Sequence, residues 1–113
     1  MAMRHWLTFE SLVEEMDSDG ARTSVWAPAF DVSPTMPAEV EPLSGRELIA
    51  ANAVQSRVTH RIRIRYREGI TAEMRAVERE TVYNIEAVIP DPDSGLRRLT
   101  LLASTGTNEG GTA

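Results

Sequence analysis

Residues 39–67 read EVEPLSGRELIAANAVQSRVTHRIRIRYR, and this stretch joins a capped helix to a strand with two chemically opposite faces. From Arg57 to Arg67 the odd positions are Arg57, Thr59, Arg61, Arg63, Arg65 and Arg67, while the even positions are Val58, His60, Ile62, Ile64 and Tyr66. Side chains alternate across a pleated ribbon, so a period of two predicts an apolar row on a core and a row of guanidinium groups on the other face. Just upstream, Ser44 and Glu47 have the S-x-x-E spacing of a capping box, which predicts a helix from Ser44 to about Val54.

The remaining elements follow from turn signals. His5–Leu12 alternates as a first strand, Asp17-Ser18-Asp19-Gly20 marks a hairpin turn, and Arg22–Trp26 is the return strand. Pro28, Pro34 and Pro37 interrupt regular pairing and define a loop, Ala27–Pro37, that carries Phe30 and Val32; a loop that apolar is expected to touch something. Ala38–Pro42 forms a short strand before the helix. After Glu68-Gly69, the segment Ala72–Val77 pairs with Thr81–Ile89 through Glu78-Arg79-Glu80, with Tyr83, Ile85 and Val88 as anchors. Pro90–Gly95 is a turn cluster, and Leu96–Ala103 supplies the last strand. Several short strands with one helix between them predict a mainly β fold, a small β-barrel or sandwich with an inserted short helix and long loops. Residues 1–103 are expected to make one domain and the Gly/Thr/Ser-rich residues 104–113 a flexible C-terminal tail.

Composition narrows the function. The 113 residues suit one domain with a small core, and few aromatics favour burial against a partner. The net charge is −5, of which Arg57–Arg67 contributes +5, so the rest of the chain carries −10. All twelve basic residues are arginine, a bias that Arg-rich codon usage explains more simply than selection for bidentate contacts. The chain has no cysteine, which removes disulfides and thiolate chemistry. There is no long apolar run, and Met1–Leu7 lacks the apolar stretch of a signal peptide; synthesis in the cytoplasm without membrane association is expected.

Catalytic motifs are scarce. His5 and His60 lie far apart, and His60 falls on the apolar side of its strand, where a satisfied core or interface histidine is the simpler reading. Asp17/Asp19 and Asp91/Asp93 are explained by turns, and no nucleophile elbow, phosphate-binding loop or metal-ligand spacing is present. The chain is therefore read as a non-enzyme without cofactor or metal.

The order of motifs resembles the phage head–tail joining family, also called head-closure, stopper or head–tail adaptor proteins. The residues that carry the resemblance are Val40–Glu47, Ala50-Ala51, Val58–Arg67, Met74-Arg75 and Tyr83–Glu86. The resemblance implies a structural virion protein of the neck, made in the host cytoplasm. It would form a sixfold or twelvefold homo-oligomeric ring beneath the portal and its adaptor, close the DNA-filled head, and dock the tail terminator or tail-completion protein. Packaged double-stranded DNA would pass through its channel. On this reading Arg46, Glu47, Arg57, Arg61, Arg63, Arg65 and Arg67 are candidates for the ring interface, and Phe30, Asp31, Val32 and Ser33 for a loop that narrows the channel.

Three readings of the arginine row stand side by side. It is a solvated face paired with carboxylates such as Glu73, Glu78 or Glu86; or it meets the acidic surface of a neighbouring subunit; or it faces duplex DNA. The alternative functions are another neck or tail-completion ring protein, or a free nucleic-acid-binding β-barrel using the Arg57–Arg67 strand.

Overall fold

The computed structural model describes residues 3–52, 57–93 and 95–105. The strands among them are β1 (His5–Met16), β2 (Arg22–Pro28), β3 (Thr35–Pro42), β4 (His60–Arg65), β5 (Arg75–Glu78), β6 (Thr81–Pro90) and β7 (Arg98–Thr105), and the helix α1 spans Gly45–Asn52. All pairings are antiparallel. Six strands close into a barrel in the order β1-β3-β4-β7-β6-β5, with β5 returning to β1, and β2 extends β1 outside the ring. The expected barrel with one inserted helix is the fold observed.

Period-two alternation fills the interior. Leu7 and Phe9 of β1, Met36 and Ala38 of β3, Ile62 and Ile64 of β4, Ala76 of β5, Tyr83 and Ile85 of β6, and Leu99, Leu101 and Ala103 of β7 form one continuous core, with Ile70 at its edge. A bulge between Ile85 and Ala87 shifts the β6–β7 register, so that Ile85 faces Ala103 and Ala87 faces Leu102. Such an extra residue bends a strand and lets a small barrel close.

Strand boundaries differ from expectation in ways that matter. The arginine strand is limited to His60–Arg65: Arg57 has a φ of 82° and sits in a turn, and Arg67 lies beyond the strand end. The Ala27–Pro37 loop contracts to residues 29–34, because β2 continues through Pro28 and β3 starts at Thr35. The last strand runs through Thr105, and Ser104, read from sequence as tail, is only 5% exposed. Its hydroxyl donates to Glu86 at 2.7 Å, so Ser104 and Thr105 belong to the barrel. The rest of the expected tail, and Val54 at the expected end of the helix, lie outside the described residues.

Candidate functional site: the outer barrel face, its loop and its arm

The arginine face is built by β3, β4 and α1. Register places Arg61 opposite Glu41 and Arg63 opposite Glu39, so the carboxylates of one strand meet the guanidiniums of the next. Arg61 donates to Glu41 through Nε at 3.1 Å and Nη2 at 2.6 Å, and Arg63 donates to Glu39 at 3.2 Å. The capping box supplies the third carboxylate. Ser44 N–H donates to Glu47 Oε1 at 3.0 Å while Glu47 N–H donates to Ser44 Oγ at 3.3 Å. The other oxygen, Oε2, accepts from Arg61 Nη1 at 2.7 Å. Glu47 thus caps the helix and ties it to the barrel. The hydrogen bond from Arg61 and those from Ser44 pull its pKa from 4.5 to about 2, and the same pairing, with Glu41, raises that of Arg61.

The carboxylates paired with the arginine row are therefore Glu39, Glu41 and Glu47 rather than Glu73, Glu78 or Glu86. The neighbours of β4 are β3 and β7, so β5 and β6 stand too far round the barrel. Glu78 instead meets His5 at 2.8 Å, and Glu86 meets Ser104. Glu39 and Glu41 alternate along β3 as Arg61 and Arg63 do along β4, but only the β3–β4 pairing brings the two rows together.

Arg67 holds the candidate channel loop. Its Nη2 donates to the Val32 carbonyl at 2.5 Å, its Nη1 donates to the Ser33 carbonyl, and its guanidinium covers the Phe30 ring at 3.7 Å from the centroid. Phe30 packs on the core from above, and Gly69 approaches it so closely that a Cβ there would stand 3.3 Å from Phe30 Cε1. Both ends of the loop are fixed on one residue of β1: Ala29 N–H donates to the Phe9 carbonyl at 2.8 Å, and Phe9 N–H donates to the Pro34 carbonyl at 3.0 Å. Asp31, Val32 and Ser33 remain exposed at the tip. The apolar loop does touch something, and its contact is with its own barrel.

A second projection is formed by the outer ends of β1 and β2. Thr8 is the last β1 residue paired with β3 and Glu10 the last paired with β5, so from Ser11 onward β1 has only β2 beside it. At the base of this arm Arg75 Nε donates to Glu10 at 2.7 Å and the Arg75 guanidinium lies 4.4 Å from the Trp26 ring centroid. The indole Nε1 of Trp26 is enclosed and finds no acceptor among the described residues.

His60 takes the position its phase indicated. It shares a hydrogen bond of 2.9 Å with the Thr59 hydroxyl and meets Tyr83 edge-on at 5.5 Å, and burial lowers its pKa. Arg46 is exposed on α1, Arg57 is exposed in its turn, and Arg65 is exposed at the end of β4. Candidate ring residues therefore divide into Glu47, Arg61 and Arg63, already paired within the chain, Arg67, committed to the loop, and Arg46, Arg57 and Arg65, open to solvent. Among the described residues no cluster of His, Asp or Glu is arranged to hold a metal ion, and no helix is long and apolar enough to cross a membrane.

Comparison with known proteins adds four findings. A family model described as phage head completion protein matches residues 1–106. Head completion protein gp16 of Bacillus phage SPP1 is 31% identical over 96 residues, covering 83% of this chain and 82% of that protein. Among solved structures, protein SF1141 from Shigella flexneri 2a superposes with a TM-score of 0.74 at 28% identity, over 95% of this chain and 96% of that one. A chain in the virion of a native gene transfer agent particle shares the fold, with a TM-score of 0.58 at 18% identity over 94% and 97% of the two chains.

Proposed function

The chain belongs to the phage head completion protein family, and from that membership we propose that it is a structural component of the virion neck, with no catalytic role, that assembles as a ring under the portal and its adaptor. The ring closes the DNA-filled head and presents a surface to the tail proteins. The observation in this chain that supports the reading most directly is the loop 29–34. Its base is fixed to Phe9 and the backbone of its tip to Arg67, while Asp31, Val32 and Ser33 are exposed. A pre-formed loop loses little conformational entropy when it meets a neighbour, which suits a narrowing element repeated around a channel. Arg57 and Arg65 of the row, with Arg46 on α1, are the exposed arginines that would meet neighbouring subunits.

A free nucleic-acid-binding barrel is the weaker reading. Arg61 and Arg63 already face Glu39, Glu41 and Glu47, so the centre of the row presents little net positive potential to phosphates.

The test is deletion of the gene in the phage or prophage that carries it, followed by electron microscopy of the lysate. Heads that have lost their DNA beside unattached tails, rescued by supplying the protein, are the expected result. Joined, infectious particles in the deletion would overturn the assignment.

A further inference from the structure

Beyond its base, where Arg75 lies against Trp26, the arm formed by the outer halves of β1 and β2 is largely uncovered. Leu12 and Val13 are consecutive and so point to opposite sides of the ribbon, yet they are 45% and 38% exposed, and Met16 near the tip is 65% exposed. A two-stranded ribbon with this much apolar surface in water is marginal by itself. Its end is also acidic. Glu14, Glu15, Asp17 and Asp19 stand against a single Arg22, whose contact with Glu14 is long, at 3.5 Å.

The opposite charge collects elsewhere. Arg65 and Arg98 sit directly across from one another in the β4–β7 pairing, and Arg97 is adjacent. Like charges in that position repel. With Met3 these three arginines line an open depression of about 450 Å³, and none of the three has an ion pair among the described residues. The nearby carboxylates, Asp91 and Asp93, belong to the turn beside them; Asp91 accepts the backbone N–H groups of Asp93 at 3.0 Å and Arg97 at 2.9 Å.

We infer that the acidic arm tip of one copy docks on the Arg65–Arg97–Arg98 corner of the next copy. The net negative arm tip, where Asp17 also accepts the N–H groups of Asp19 and Ala21, meets three arginines without an ion pair among the described residues. Asp91 and Asp93 offset their charge only in part, and contact along the ribbon covers Leu12 or Val13. Charge-assisted arginine–carboxylate bonds of this kind fix register as well as attract. The contact joins two different surfaces, so it is head-to-tail, and repetition yields a ring if the rotation closes and a filament if it does not. In that respect the inference rests on the ring reading above, and it names the surfaces that would build the ring.

The natural absence of cysteine permits a clean test. Full-length Thr23→Cys, on the exposed arm beside Glu15, and Met3→Cys, at the corner, leave every charge in place. Mixed in equal amounts and mildly oxidised, they should give mixed disulfide dimers well beyond the statistical half. Adding Arg98→Glu to the corner variant should abolish the excess, and adding Glu15→Arg to the arm variant should restore it. A statistical mixture, or an excess indifferent to Arg98→Glu, overturns the contact. So does retention of a short DNA duplex that Arg98→Glu releases without any excess of mixed dimers, which assigns the corner to phosphate. Closed rings of the natural chain with only statistical cross-linking would sink this contact and keep the ring. Cross-linked open chains from the double-cysteine variant would keep the contact and sink the ring.

Discussion

Arg67 and Phe30, well separated along the chain, form the clasp that shapes the loop 29–34: the guanidinium caps the ring at 3.7 Å while its two terminal nitrogens hold the Val32 and Ser33 carbonyls. One side chain satisfies two turn carbonyls and covers the only aromatic group of the loop. Arg67→Ala is expected to cost about 1–3 kcal/mol, from the cation–π contact and two charge-assisted hydrogen bonds together. Arg67→Lys should fall between, since it keeps the charge and loses the fork. Urea denaturation gives the magnitude, and faster amide exchange confined to residues 30–33 locates it. Unchanged exchange in Arg67→Ala would show that the clasp does not order the loop.

Gly69 and Gly20 both have positive φ, at 98° and 85°, but only Gly69 faces a neighbour. Alanine at Gly20 meets nothing within 4 Å, so it should cost about 1 kcal/mol of backbone strain. Alanine at Gly69 adds a contact 3.3 Å from Phe30 Cε1 and must displace a ring held from above by Arg67. Its cost should be larger, about 2–3 kcal/mol with the overpacking included. Equal losses for the two variants, measured by thermal unfolding, would contradict this account of the Phe30 seat.

Acid stability should carry the signature of Glu47. Its folded pKa, about 2, lies below the unfolded value of 4.5, so the unfolded chain binds more protons in between. The stabilisation is complete above pH 4.5 and is lost as pH falls from 4.5 towards 2. Glu47→Gln should remove that part of the pH dependence of Tm while leaving the fold intact; an unaltered acid slope would refute the assignment.

His60 acts in a higher window. Burial lowers its folded pKa below 6.5, so the folded chain resists protonation that the unfolded chain accepts, and stability declines as pH drops below 6.5. A His60→Gln variant should flatten the Tm profile between neutrality and the acid limb set by Glu47.

In the core, Ile62 is fully buried between Val40 of β3 and Leu101 of β7 in register. Ile62→Val should cost about 0.5–1.5 kcal/mol and Ile62→Ala about 2–5 kcal/mol, the latter comparable to the whole stability of a small domain. Denaturant midpoints that did not order in this way would mean the site collapses around the cavity.

Local chemistry was legible in the sequence wherever neighbours along the chain decide the outcome. The alternation at 58–66 placed Ile62 and Ile64 inside, Ser44 and Glu47 formed the capping box, and Asp17–Gly20 and Pro90–Gly95 turned the chain. What depended on which strands lie side by side was not legible. Arg61 could be seen to need a carboxylate, but only the order β3-β4-β7 chooses Glu41 over Glu73 or Glu86. Alternation along β1 fails at Leu12-Val13 and Glu14-Glu15, but such a break does not by itself mark an arm; it becomes one only because β3 and β5 stop pairing at Thr8 and Glu10. The unpaired arginines at 65, 97 and 98 come together across a strand pairing that joins distant parts of the chain.

β1 belongs to the barrel wall for its first half and to the arm for its second, with no break in the backbone between them. A load applied at the arm tip along the strand axis is therefore carried into the wall in shear, shared at once by the ladders to β3 and β5 rather than peeling one bond after another. A load applied sideways turns the arm about Glu10, where Arg75 and Trp26 brace it against β5. The same hairpin is thus stiff as a tether and compliant as a hinge, and the direction of pull decides which.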